Sequence, residues 1–251
     1  MEKKNIEAFI KKYHLGGQIE SVMWENINDD LSVTAITSDR KLIEYVQLKD
    51  GAKNFINGVK VGVNDTSKLK KQIAFLSDNI SLTLDVDKND PTRVIQILGD
   101  DGNNSSEYPT ADLSVIDPVP TMKNIPLFDV EIKLSPEWID TFNKGFATIS
   151  DDNTLFTLIM SKKKNKMEMV LGYKKNLSAR VALGVDAVVG KDVVKNPINF
   201  SAKKLKEILA ANSDVQNPSL LVSQAGLANI SFESDNIKSK YYLIQVEVDD
   251  D

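Results

Sequence analysis

Two segments of this chain follow one plan, and that duplication limits what it can fold into. Residues 61–84 read VGVNDTSKLKKQIAFLSDNISLTL, and residues 197–222 read PINFSAKKLKEILAANSDVQNPSLLV. The offset from Leu69 to Leu205 equals the offset from Asp78 to Asp214. In each segment a strand-like run leads through Thr66-Ser67 or Ser201 into an amphipathic helix. Lysines lie on one side of that helix and Leu/Ile on the other, and it stops at Ser-Asp before a further apolar run. A unit that recurs once at so long a period predicts two similar domains in one chain. The 251 residues allow this at about 125 per domain, enough for two cores.

The rest of the pattern places the domains at 1–117 and 128–251, with a linker at 118–127. Residues 3–14 read as a helix with Ile6, Phe9, Ile10 and Tyr13 on one face, stopped by Leu15-Gly16-Gly17. Strands are expected at 19–25, 31–37, 42–48 and 59–63, and the first signature helix at 66–77 buries Leu69, Ile73 and Leu76. A hairpin of strands 80–86 and 93–98 follows, then a polar loop at 99–106 and a short strand at 113–116. Pro118, Pro120 and Pro126 keep 117–126 out of regular structure. The second half restarts with a strand at 128–134. Ser135, Pro136 and Glu137 then supply an N-cap, a first-turn proline and a first-turn acid for a helix to residue 149 that buries Ile139, Phe142 and Phe146. Strands are expected at 155–161, 166–173 and 177–185, with a hairpin turn at 162–165. The second signature helix, 201–212, buries Leu205, Ile208 and Leu209, and strands at 219–224, 228–233 and 241–248 close the domain. Strands outnumber helices and hairpin-length turns join them. The fold class is therefore α+β, with antiparallel sheets and two helices on one face of each domain.

Composition removes several functions. No cysteine is present, so disulfides, thiolate metal sites and thiol nucleophiles are excluded. The single histidine, His14, ends the first helix, where it suits the helix dipole better than catalysis. No phosphate-cradling glycine motif occurs. Residues 85–90 begin like a calcium loop but lack its glycine, and Gln96 stands where the closing glutamate belongs. No enzyme, cofactor or metal is expected. The charged opening MEKKNIEAFIKKYH has no apolar stretch of a signal peptide, and no run is long enough to span a membrane. The expected location is intracellular, with no membrane partner.

The net charge of −5 argues against a protein that coats nucleic acid over its whole surface. Cations gathered on one face remain compatible with it. For one lysine-rich helix the bland reading, lysines to solvent and leucines inward, suffices. Repetition favours a basic surface that attracts phosphates without reading bases. Few aromatics accompany the lysines, so stacking on single strands is not indicated.

Three stretches carry a resemblance. GVNDTSKLKKQI (62–73) and INFSAKKLKEIL (198–209) look like the runs into the second helix of each domain in the two-domain, trimeric sliding DNA clamps. The C-terminal ISFESDNIKSKYYLIQVEVDD (230–250) is similar to that family's closing hairpin. The resemblance covers PCNA of eukaryotes and archaea and the polymerase clamps of large tailed phages. It implies a homotrimeric ring around double-stranded DNA, with helices lining the hole, that tethers a DNA polymerase and is placed by a clamp-loader ATPase. Carried over residue by residue, it puts Lys11, Lys12, Lys68, Lys70, Lys71, Lys144, Lys203, Lys204 and Lys206 in the channel. It assigns a partner-peptide groove to Leu31, Ile125, Leu127, Ala228, Tyr242 and Ile244. The subunit contact falls on two strand edges, one with Leu113, Ser114, Val115 and Ile116, the other with Leu177, Ala179, Val181 and Leu183. The chain departs from the family in two places. Only five residues precede Ile6, where the family has a strand, and Ile244-Gln245-Val246 replaces a proline-containing tail. Phage clamps also lack that proline, which points to a viral source and a host-cytoplasmic location. The alternatives are a β-rich phage assembly protein whose lysines merely face solvent, and a hydrolase with an unrecognised site.

Overall fold

The computed structural model describes residues 1–90, 92–149, 154–161, 166–173, 179–189 and 196–247. The chain forms two compact units. Unit 1 comprises Met1–Ser38, Ile43–Pro120 and Glu233–Ser239; unit 2 comprises Asp39–Leu42, Thr121–Phe232 and Lys240–Asp251. The chain passes from one unit to the other between Pro120 and Thr121, inside the proline-rich stretch, and each unit also takes in a short segment from elsewhere in the sequence.

Unit 1 opens with helix α1 (Lys3–His14), followed by strands β1 (Val22–Ile27), β2 (Asp30–Ile36), β3 (Leu42–Leu48) and β4 (Lys60–Val63). Then come α2 (Thr66–Phe75) and strands β5 (Ser81–Val86), β6 (Val94–Asp100) and β7 (Ser105–Pro109). The strands pair antiparallel in the orders β3-β2-β1-β4 and β5-β6-β7. Ile6, Phe9, Ile10 and Tyr13 of α1 and Leu69, Ile73 and Leu76 at α2 are buried with Trp24, Val33, Val46 and Ile97 of the sheets. Each such side chain contributes about 1.5–3 kcal/mol by leaving water, which is what holds a short helix whose propensity alone is marginal. The residues ahead of α1 are tied to the segment after α2. Glu2 bridges Asn79, and the Met1 amine donates to Ile80 O at 2.7 Å.

Two expectations fail here. Residues 99–106 are not a loop throughout: β6 runs to Asp100, and β7 begins at Ser105 and buries Tyr108. Residues 113–116 are not a strand. Leu113–Val115 form one turn of 3-10 helix, because the Asp112 carboxylate accepts from Ser114 N at 2.9 Å and bends the chain there.

Unit 2 contains β8 (Val130–Lys133), α3 (Pro136–Ile149), β9 (Leu155–Ser161), β10 (Lys166–Leu171), β11 (Val181–Gly184), β12 (Asp186–Val189) and β13 (Ile198–Ser201). It continues with α4 (Ala202–Ala211), β14 (Ser219–Ser223), β15 (Leu227–Glu233) and β16 (Ile237–Ile244), the last starting in the segment assigned to unit 1. Its sheets run β12-β8-β14-β15-β16 and β11-β10-β9-β13. Ser135 Oγ caps α3 by accepting from Trp138 N (3.2 Å), and Ser201 Oγ caps α4 by accepting from Lys204 N (3.3 Å). Phe142, Phe146, Leu205, Ile208 and Leu209 are buried, while Ile139 is only half-buried. The closing strand starts four residues earlier than its apolar run suggests, with Ile237 and Ser239 as well as Tyr241 buried. The expected turn at 162–165 and the start of the strand expected at 177–185 lie outside the described residues.

Candidate nucleic-acid interface

In unit 1 the two helices lie antiparallel, strapped at both ends. At one end Lys3 Nζ donates to the last carbonyls of α2, to Leu76 O at 2.6 Å and Ala74 O at 3.4 Å. At the other, Glu20 holds the start of α2: its Oε2 accepts from Ser67 N (2.9 Å) and its Oε1 from Ser67 Oγ (2.7 Å). His14 Nε2, at the end of α1, lies 2.8 Å from the same Oε1. Desolvation pushes the Glu20 carboxyl up, but the hydrogen bonds from His14 and Ser67 outweigh it and hold the group below its ordinary pKa. His14 thus ties the end of α1 to Glu20 and Ser67.

This strapping fixes which way α2 faces. Asp65 caps it by accepting from Lys68 N at 2.8 Å, and Leu69, Ile73 and Leu76 turn inward. Lys68 and Lys71 point away from the core, with Lys70 on the flank, and all three are exposed, as is Lys11 on α1. None of these four lysines makes an ion pair among the described residues. Phe75, seven positions after Lys68 and so on the same face, is 65% exposed. With Leu69, Ile73 and Leu76 buried, Phe75 falls outside the apolar stripe of α2.

Two assigned channel lysines are elsewhere. Lys12 is only 2% exposed on the inner flank of α1, and Lys204 is 8% exposed, with its Nζ 2.8 Å from Asp39. Both are expected on solvent-facing sides, and the structure buries both instead. In unit 2, Lys144 is exposed but held by Asp140 at 2.6 Å. Lys206 is half-buried with its Nζ 5.1 Å from the Phe146 ring centre, and Lys203 is half-buried. Among the described residues no group of His, Cys, Asp or Glu is arranged to hold a metal, and no helix is long and apolar enough to cross a membrane.

No protein-family model and no curated protein matches the sequence. Solved structures do. Proliferating Cellular Nuclear Antigen from Entamoeba histolytica aligns with a TM-score of 0.70 at 18% identity, over 98% of this chain and 96% of that one. A chain of the PCNA2–PCNA3 complex from Sulfolobus tokodaii aligns with a TM-score of 0.68 at 12% identity, over 98% and 97%. The chain has the PCNA-type sliding-clamp fold. At such identities the likeness is one of architecture: a two-domain α+β clamp fold whose side chains have to be judged from their own surroundings.

Within the clamp fold, the assigned peptide groove is only partly available. Ile125 and Leu127 stand out from the linker, Leu127 89% exposed, and Ile244 is half-buried with its N–H donated to Lys41 O at 2.9 Å. Leu31, Ala228 and Tyr242 are core residues and present no surface to a partner, contrary to their assignment. The assigned strand edges also change. Leu113, Ser114 and Val115 are exposed but belong to the 3-10 turn, with Ile116 just beyond it, so β7 is the strand that ends this sheet of unit 1. In unit 2, β11 ends its sheet and carries Val181 and Leu183. Ala179 is an exposed residue before it, and Leu177 lies outside the described residues. The opposite end of the same sheet, β13, is covered by Val246, whose N–H donates to Asn199 O at 2.9 Å. No described strand pairs with the outer side of β11.

Proposed function

We propose that this chain is a sliding clamp: three copies close into a ring around duplex DNA and tether a DNA polymerase to its template, without catalysis. The observation that carries the reading is the set of exposed, unpaired lysines on the helices of a clamp-fold chain whose net charge is −5. A topological link requires only weak attraction, since a ring held tightly to phosphates could not move along them. Scattered lysine–phosphate contacts exchange counterions for protein cations and read no sequence. Acid elsewhere on the surface keeps the outside of the ring from adhering to DNA.

Ring closure joins the β7 end of one copy to the β11 end of the next. An unpaired strand edge is a liability in a monomer, and edge-to-edge pairing satisfies both. The exposed linker side chains Ile125 and Leu127 offer the apolar contact for a partner peptide from the polymerase or from the loader ATPase. The lysines that this reading directs toward the duplex are Lys11, Lys68, Lys70, Lys71, Lys144, Lys203 and Lys206, the last two half-buried. Light scattering on the eluting protein tests the assembly. The expected mass is about three times 27.9 kDa. A stable monomer or an open-ended polymer contradicts it and favours the assembly-protein alternative.

A further inference from the structure

The two helix pairs differ in charge far more than their shared plan suggests. Helices α1 and α2 hold seven lysines and one acid, Glu7. Helices α3 and α4 hold four lysines and three acids, Glu137, Asp140 and Glu207. The state of the individual lysines widens the gap. On α1 and α2, Lys11, Lys68, Lys70 and Lys71 are exposed and unpaired among the described residues. Lys3 caps the end of α2, Lys4 pairs with Glu2 at 2.8 Å, and Lys12 is buried. On α3 and α4 every lysine is already engaged. Lys144 is held by Asp140, Lys204 by Asp39, Lys206 lies over Phe146, and Lys203 has a partner of its own.

We infer that the attraction for the DNA backbone resides in unit 1, on the face of Lys11, Lys68, Lys70 and Lys71, and that the helix pair of unit 2 is close to electrostatically neutral. The physical ground is counterion release. A cation that meets a phosphate unaccompanied displaces condensed counterions and contributes nearly a full unit to the salt dependence of binding. A lysine already compensated by a carboxylate must give up that partner first, and the carboxylate left behind repels the phosphate. The partner that fits the unit 1 face is therefore a polyanionic sugar–phosphate strand, met from one domain of each subunit. This rests on the clamp reading and adds that the DNA contact is one-sided within each subunit.

The test is the salt dependence of binding to a short linear duplex by the full-length protein. Three forms are compared: wild type, the unit 1 set Lys11→Ala, Lys68→Ala, Lys70→Ala and Lys71→Ala, and the unit 2 set Lys144→Ala, Lys203→Ala and Lys206→Ala. Light scattering and circular dichroism confirm assembly and fold, and matched Lys→Gln sets separate lost charge from lost packing. The slope of log affinity against log salt is expected to shrink by roughly 3–4 for each subunit whose lysines meet phosphates in the unit 1 set, at about 0.9 per phosphate, and by about 1 or less per subunit in the unit 2 set. Equal losses, or a larger loss from unit 2, overturn the one-sided assignment and leave the clamp reading intact. A wild-type protein without salt-dependent attraction to DNA, or two sets that both leave the slope unchanged, overturns the lysine contacts altogether.

Discussion

Glu44 stands on β3 with its carboxyl fully buried, and among the described residues neither of its oxygens has a hydrogen-bond partner. Burial drives its pKa well above the ordinary value of 4.5. Between that ordinary value and the raised one, the native state holds a proton the unfolded chain has lost. Stability therefore falls as pH rises, by about 1.4 kcal/mol for each pH unit in that window. Glu44→Gln is expected to remove that slope in urea unfolding of the full chain as pH rises above the ordinary carboxyl range; parallel profiles for variant and wild type would show that the carboxyl does not titrate there. A second residue is constrained by backbone alone. Gly62 on β4 bridges Ala111, whose carbonyl oxygen occupies the space a Cβ would need. Gly62→Ala is expected to cost about 1–3 kcal/mol, read as a lowered thermal midpoint, and an unchanged midpoint would mean that the 110–113 segment yields freely.

Among the elements, the strap at Glu20 joins the end of α1 to the start of α2. Its carboxyl is held below its ordinary pKa, so its contribution is present at neutral pH and is lost as pH falls through the acid range. Glu20→Gln is expected to cost about 1 kcal/mol at neutral pH, reduced by solvent screening because the side chain is 41% exposed. That deficit should close as pH falls through the lowered pKa; a deficit constant across pH would assign the loss to packing. The helices were legible from sequence because each carries an apolar stripe at the helical period and three have a side-chain cap, from Asp65, Ser135 and Ser201. Strand β7 was not, since SSEYP joins two serines to a proline and buries only Tyr108 along its length. The 3-10 turn at Leu113 was hidden for the opposite reason: its apolar residues suggest a strand, and the Asp112 cap overrides them. For the site, the lysine-bearing helices could be found, but the burial of Lys12 and Lys204 could not. A lysine on the flank of an amphipathic helix lies its stem against the core or in water depending on its neighbours, and Asp39 is remote from Lys204 in sequence.

At the scale of the whole molecule, an acidic chain with the clamp fold has, among the described residues, its unpaired helix-borne lysines on α1 and α2 and sheet ends at β7 and β11. These features together suit a closed ring that holds DNA by enclosure, with the lysines supplying only weak attraction. Enclosure makes a prediction that surface binding does not. Labelled protein is placed on nicked circular DNA by its cognate loader ATPase, freed of unbound protein, and followed as the circle is cut at a single site. The expected result is stable retention on the circle and loss from the linear form, with retention restored when both ends are blocked by bulky adducts. Protein that remains on the linear DNA with open ends, or that leaves the intact circle at the same rate, would contradict encirclement.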